Sequence, residues 1–341
     1  RSGHRFGRRA DDQGPIEVLN IDCETYAATH GSVASVVDSG RYHHVAVDIA
    51  DGAAIGRAID EFEPDAVIHL AAETHVDRSI DGPGVFIRTN VVGTYELLEA
   101  SRRSAQRRGM LDQFRFVHVS TDEVFGALGF DDEPFTEHTP YDPRSPYSAS
   151  KASSDHFVRA WHETYGLPAV ITNCSNNYGP YHFPEKLIPL MILKAAAREP
   201  LPVYGKGENV RDWLYVADHA RAVASALFMG EPGETYTIGG NAERSNLEVV
   251  EAICDLVDGA LGDEVGSRRE LIDLVADRPG HDLRYAVDSS KAAAELGWEP
   301  SLTFEEGLAQ TVRWYLDNDW WWRPLVSDRY SGHRLGTTAS P

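Results

Sequence analysis

Two groups of residues could do chemistry if the fold brought them together. Tyr147 and Lys151 occupy the ends of YSASK, just after Pro146. On a helix this i, i+4 spacing stacks both side chains on one face. An ammonium beside a phenol lowers the phenol pKa from its usual value of about 10. The phenolate can then take a hydroxyl proton while hydride leaves the same carbon. The second group is STDE, Ser120–Glu123. Asp122 and Glu123 are adjacent carboxyls, which become an acid and a base when their surroundings split their pKa values. Taken singly, STDE has ordinary turn composition and a Y-x-x-x-K pair arises by chance in many helices. Taken together, they point to an oxidation coupled to an elimination.

A third residue concerns a cofactor. Asp22 closes the apolar run IEVLNID (Ile16–Asp22). In an open parallel sheet, ligands sit outside the carboxyl ends of the strands. An acid there accepts hydrogen bonds from both ribose hydroxyls of an adenosine and repels a 2′-phosphate, which favours NAD over NADP. The alternative is a solvated acid at a strand end.

These residues need a scaffold, and the chain supplies one. Strands are expected at Ile16–Asp22, Tyr42–Ile49, Asp65–Ala72, Phe114–Ser120 and Ala169–Cys174. Asp65–Ala72 is almost wholly apolar, as in a strand buried on both faces. Helices are expected at about 53–62, 83–108 and 147–165, the last beginning after Pro146. Alternating strands and helices predict an α/β, Rossmann-like doubly wound parallel sheet. After about residue 180, short strands (PVYG, ETYTIGG) alternate with helices at 187–197, 217–229 and 246–260. The expected organisation is an irregular segment at 1–15, an NAD-binding domain over 16–180 to which some later strands return, a smaller interleaved substrate lobe over 181–326, and a loose tail over 327–341. The aromatic run DWWWRPL (Asp319–Leu325) is expected to pack a terminal helix at about 304–317 against the body.

Composition sets outer limits. Lys plus Arg is 32 against 53 Asp plus Glu, a formal charge of −21 over 341 residues. That argues against a nucleic-acid or anionic-membrane partner, because phosphate neutralisation needs clustered cations. It leaves room for one phosphorylated small ligand held by a local arginine. Cys23, Cys174 and Cys254 make no disulfide framework, no Cys/His spacing suggests a metal site, and a reducing cytoplasm is expected. No apolar run reaches the roughly 18 residues that span a bilayer, and no signal peptide is visible.

Longer runs carry a family resemblance. They are HLAAETHVDRSI (His69–Ile80), TNVVGTYELLEA (Thr89–Ala100), STDEVFG (Ser120–Gly126), SPYSASKASSDH (Ser145–His156), TNCSNNYGPYHFPEKLIPL (Thr172–Leu190), VYGKGENVRDWLYVADHARA (Val203–Ala222) and ADRPGHDLRYAVD (Ala276–Asp288). On these, the chain resembles the extended short-chain dehydrogenases, and among them the nucleotide-sugar 4,6-dehydratases. The resemblance implies dTDP-glucose as substrate and NAD as cofactor. Tyr147, helped by Lys151 and Thr121, would take the C4 hydroxyl proton as hydride passes from C4 to NAD⁺. Glu123 would remove the C5 proton, and Asp122 would protonate the departing C6 hydroxyl. Hydride would then return to C6, giving a 4-keto-6-deoxy sugar. A plain dehydrogenase needs Tyr147 and Lys151 but not the two acids.

The same resemblance assigns the ligand walls. Asp22, Cys23, Glu24, Thr25, Asp48, Ile49, Leu70, Ala71, Ala72, Thr74, Thr89, Tyr147, Lys151 and Asn177 would line the cofactor. Thr74, Thr121, Asn176, Lys186, Leu187, Pro202, Val203, Tyr204, Arg211, Asn246, Asp277, Arg278 and His281 would line the sugar nucleotide. Arg211 and Lys186 supply positive charge for a diphosphate; Tyr204 and Pro202 offer flat surface for a base. The two long helices would pair with those of a second copy as a homodimer.

The chain departs from the family in one respect. The family opens with a strand and a turn of the type V-T-G-G-A-G-F-I-G, whereas RSGHRFGRRADDQGPIEVLNI precedes Asp22 here. Loss of that strand is expected to leave two neighbouring strands with unpaired edges inside the sheet. Phe125 for Tyr and Thr74 for Ser are mild changes. Two other readings stay open: a dehydratase or epimerase of another nucleotide sugar, and a degenerate, non-catalytic binder of sugar nucleotides.

Overall fold

The computed structural model describes residues 16–262, 264–277 and 281–328. In chain order the elements are β1 (Val18–Asp22), β2 (Tyr42–Ala46), α1 (Gly52–Phe62), β3 (Ala66–His69), α2 (Val76–Asp81), α3 (Pro83–Phe86), α4 (Thr94–Arg107), β4 (Arg115–Thr121), α5 (Pro146–Tyr165), β5 (Ala169–Cys174) and β6 (Asn176–Tyr178). There follow α6 (Leu187–Ala197), β7 (Leu201–Tyr204), β8 (Val210–Tyr215), α7 (Val216–Met229), β9 (Thr235–Ile238), β10 (Glu243–Ser245), α8 (Asn246–Leu261), β11 (Ile272–Val275), α9 (Phe304–Asp317) and α10 (Asp319–Asp328).

The central sheet is parallel, in the order β3-β4-β5-β9. Successive residues of a strand face opposite sides, and β4 shows the consequence. Phe116 enters a core with Leu98, Val158 and Ile171, whereas Val117 enters another with Ala222, Tyr236 and Trp298. Helices α4 and α5 thus cover one face and α7 the other, which is the doubly wound architecture expected. β9 comes from late in the chain yet pairs with β5 in register Ile171–Thr235 to Cys174–Ile238.

Strands β1 and β2 form a separate parallel pair. Among the described residues, β1 pairs with β2 alone and β3 with β4 alone. No strand among the described residues joins β1 to β3. It corrects the expectation of a β3 buried on both faces: Ile68 is 40% and Leu70 59% exposed, because one edge of β3 has no neighbour among the described residues.

The helix expected over 83–108 is interrupted. A π-helical segment, Ile87–Gly93, separates α3 from α4. Gly93 sits where an added Cβ would lie 2.6 Å from Ile49 Cγ1, so only a glycine lets this helix approach the strand-end loop. A further core joins α6, α8, α9 and α10 through Met191, Ile253, Leu308 and Trp321. The Trp run, expected only to pack α9, forms a helix of its own. Residues 1–15 and 329–341 lie outside the described residues.

Candidate active site

Helix α5 starts where its sequence dictates. Ser145 and Ser148 form a reciprocal capping box, and Pro146 takes the first turn, where no backbone N–H is needed. Tyr147 is therefore fixed in the first turn and Lys151 one turn on. Both are buried, at 8% and 4% exposure. Strand β4 ends at Thr121, whose hydroxyl caps the tight turn Asp122–Phe125 by accepting from Glu123 N at 3.3 Å. Gly126 closes that turn at φ +94°, with an added Cβ only 2.8 Å from Asp142 O, so no other residue fits without strain.

The two groups meet. Thr121 and Glu123 both act on the Tyr147 phenol, Thr121 lowering its pKa and Glu123 raising it, and Glu123 also raises Asp122, to which the Thr121 hydroxyl donates at 3.3 Å. Asp122 is 1% exposed. Burial first, then Glu123, pushes its carboxyl well above the usual range. Its Oδ2 is buried without a hydrogen-bond partner, as suits a protonated acid facing a ligand.

One expectation fails. Tyr147 was expected to have a depressed pKa, but burial and then Glu123 push it well above the ordinary phenol value. Lys151 Nζ donates to Val119 O at 2.8 Å, so its ammonium is held by the strand. Burial also lowers the Lys151 pKa, with Asp155 opposing.

A polar network beneath the pair escaped the sequence reading. Asp155 Oδ2 accepts from Ser120 Oγ at 2.9 Å, Tyr141 OH at 2.7 Å and Asn173 Nδ2 at 3.3 Å. His118 Nε2 lies 3.1 Å from Asp155 Oδ1. Asn90 Nδ2 donates to Ser150 Oγ at 2.8 Å and to Glu73 O at 3.0 Å, tying the loop after β3 to α5. The available signal was spacing: Asp155 stands one helical turn beyond Lys151.

The cofactor residues fall at strand ends. Asp22 ends β1 and Cys23, Glu24 and Thr25 follow it, with Asp22 Oδ1 accepting from Glu24 N at 2.6 Å. Asp48 and Ile49 follow β2, with Asp48 Oδ1 accepting from Ala50 N at 2.9 Å. Leu70, Ala71, Ala72 and Thr74 follow β3, and Thr89 lies in the π segment. A cavity of about 520 Å³ beside Asp22 is lined by Asn20, Glu24, Thr29, His30, Tyr42 and His44. Near β6, Asn176 and Asn177 each keep a buried Oδ1 with no hydrogen-bond partner. A strand-end acid beside a cavity at one end, and orphaned acceptors at the other, fit a dinucleotide.

The sugar-nucleotide residues form smaller groups. Lys186 Nζ donates to Thr74 O at 3.0 Å. Leu187 begins α6 and Asn246 begins α8. His281 Nδ1 lies 2.7 Å from Asp277 Oδ1, and its ring stands edge-on to Tyr204 at 6.2 Å. Arg211 is buried, donates to Val210 O and Asp282 O, and acts electrostatically on Asp122. Pro202 pairs with Asp273 across β7 and β11. Val203 corrects its expectation in part: its side chain is 1% exposed within the lobe core, leaving only its backbone for a ligand. Arg278 lies outside the described residues.

A doubly wound sheet with a Tyr–Lys pair on the helix after β4 and acids at the strand's end defines the class: an extended short-chain dehydrogenase that carries elimination chemistry. The profile of the GDP-mannose 4,6 dehydratase family matches residues 13–311. A dTDP-glucose 4,6-dehydratase of Xanthomonas campestris pv. campestris is 57% identical over 339 residues, 98% of this chain and 96% of the relative. One from Escherichia coli is 54% identical, covering 94% and 92%. Among solved structures, a dTDP-glucose 4,6-dehydratase double mutant of Streptomyces venezuelae with NAD bound matches at a TM-score of 0.84 and 44% identity, covering 92% of each chain. The chain belongs to the nucleotide-sugar 4,6-dehydratase family.

Proposed function

We propose that this chain is an NAD-dependent lyase converting dTDP-glucose to dTDP-4-keto-6-deoxyglucose. The observation that carries the reading is the burial of Tyr147 and Lys151 on α5 together with Asp122 in the turn after β4, where Asp122 Oδ2 has no hydrogen-bond partner. Bound NAD would supply the hydride chemistry, as acceptor for oxidation at C4 and donor for reduction at C6. It would be held by Asp22–Thr25 and Asp48 at one end and by Asn177, Tyr147 and Lys151 at the other.

The protein's own groups move the protons. Tyr147, assisted by Thr121, takes the C4 hydroxyl proton. Burial raises its phenol, and the Lys151 ammonium one helical turn along α5 would oppose that rise. The new ketone acidifies C5–H, which Glu123 removes. Asp122, whose buried carboxyl holds its proton more tightly than usual, gives that proton to the leaving C6 hydroxyl, so the water departs neutral. Lys186 and Arg211 bring positive charge for the diphosphate, and Tyr204, Asp277 and His281 surround the base.

The organisation expected from the sequence fits this reading, with the NAD-binding part over 16–180 and the sugar-nucleotide lobe over 181–326. Val85, Ile87, Val92 and Tyr95 are exposed on the α3–α4 run, which supports a homodimer built on α4 and α5. No helix among the described residues is long and apolar enough to cross a membrane, and three free cysteines fit a reducing cytoplasm.

The test is turnover of dTDP-, UDP- and GDP-hexoses, followed by the alkali-induced absorbance of a 4-keto product. dTDP-glucose should react fastest. Preference for another base would reassign the substrate. Absence of product with NAD present would contradict the reading and favour a binding protein, to which the broken sheet at β1 and β3 lends weight.

A further inference from the structure

The proposed chemistry leaves the Trp-rich helix without a part, yet α10 touches the cofactor side of the molecule. Trp321 is 3% exposed and packed among Tyr315, Leu325 and Trp314. Trp322 Nε1 donates to Tyr315 O at 2.7 Å, which pins α10 to α9. From that fixed position Trp321 Nε1 donates to Ser32 Oγ at 3.2 Å. A Cβ added to Gly31 would lie 3.0 Å from Trp321 Cδ1 and 3.3 Å from Trp320 Cζ3. Gly31 and Ser32 belong to the short turn His30–Val33, whose Thr29 cap accepts from Gly31 N at 3.2 Å. That turn is one wall of the cavity beside Asp22.

The loop has a second tether to the same lobe. Tyr26 OH donates to Glu185 Oε1 at 2.9 Å, with Arg78 stacked 3.9 Å over the ring and Phe183 edge-on at 5.5 Å. The segment between β1 and β2 is therefore held from the C-terminal lobe at two points. This matters because β1 has one sheet partner among the described residues.

We propose that Trp321 is a positioning residue for the adenosine end of the dinucleotide: it holds Gly31 and Ser32 so that the cavity wall beside Asp22 stands before the ligand arrives. The inference rests on the reading that NAD binds with its adenosine beside Asp22. Pre-forming a wall lowers the ordering cost of binding. Trp321 acts on dinucleotide affinity through the His30–Val33 turn, which lines the cavity beside Asp22.

Calorimetric titration of the full chain with NAD, 5′-AMP and dTDP tests this. Trp321→Phe keeps an aromatic ring and removes the N–H; Ser32→Ala removes only the acceptor. One hydrogen bond nets about 1 kcal/mol, so each variant should weaken NAD and 5′-AMP about fivefold. The double variant should be no weaker than either single one, and dTDP affinity should change less than about twofold. Unchanged NAD affinity, or equal loss for dTDP, would overturn the proposal. If Trp321→Phe fails to fold, Ser32→Ala decides by the same split. A wild-type chain that binds NAD and 5′-AMP but produces no keto sugar contradicts the proposed reaction and leaves this inference standing.

Discussion

The carboxyl end of β4 and the carboxyl end of β1 are both ligand positions in the same kind of sheet, but they are built differently. β4 lies between β3 and β5, and Phe116, Val117 and the acid Asp122 beyond it are essentially buried. Its site groups are locked by burial, by the Thr121 cap and by the Asp155 network. β1 has β2 on one side, and Val18 is 50% exposed. Its loop relies on contacts from the other lobe, at Trp321 and Glu185. Preorganised electrostatics need a closed, dry setting, and the catalytic side has one. The cofactor side gains its order from packing outside the sheet.

The comparison breaks first if the catalytic side is not catalytic. Tyr147→Phe and Glu123→Gln should each lower kcat roughly 100- to 10,000-fold, since each removes a positioned proton-transfer group. dTDP affinity of both variants and NAD affinity of Glu123→Gln, by titration, should stay near wild type; loss of both ligands would mean that the residues only hold the fold.

Stability sharpens the contrast next. Phe116→Ala removes a side chain with 0% exposure from the closed part of the sheet and should cost about 3–5 kcal/mol in denaturant unfolding. Ile68→Ala, at 40% exposure on β3, should cost about 1 kcal/mol or less. Equal costs would show that β3 is as well packed as β4.

A pH dependence separates the two sides further. Burial lowers the His118 pKa to about 4, and lowers His69 as well. In the unfolded chain both titrate near the ordinary value of about 6.5. The unfolded state therefore binds more protons below that value, and stability falls as pH drops from about 6.5 toward 4. For His118 alone the loss is on the order of 3 kcal/mol. Asp212, raised to about 6, works the other way: its contribution is present at low pH and fades as pH rises through about 6. Thermal melts of His118→Asn between these pH values should be flatter than wild type.

Much of this was legible because local signals agreed with the fold. Pro146 announced the start of α5, and with it the place of Tyr147. Apolar runs located β4 and β5 to within a residue. Long-range contacts were not legible: Trp321 reaches a turn 289 positions away in the chain. The direction of the Tyr147 shift was missed because spacing on a helix says nothing about how dry the phenol is, or that Lys151 turns to Val119. The π segment at Ile87–Gly93 leaves no composition signature, since its residues would suit an α-helix equally well.

The central claim is that one pocket joins an oxidising pair to an eliminating pair around a single hexose. Turnover of dTDP-[4-²H]glucose, with the product's isotope position read by NMR, tests it most directly. Deuterium recovered at C6 of the keto sugar is the predicted result. Deuterium lost to solvent, or retained in released NADH with no deoxy sugar formed, would contradict it.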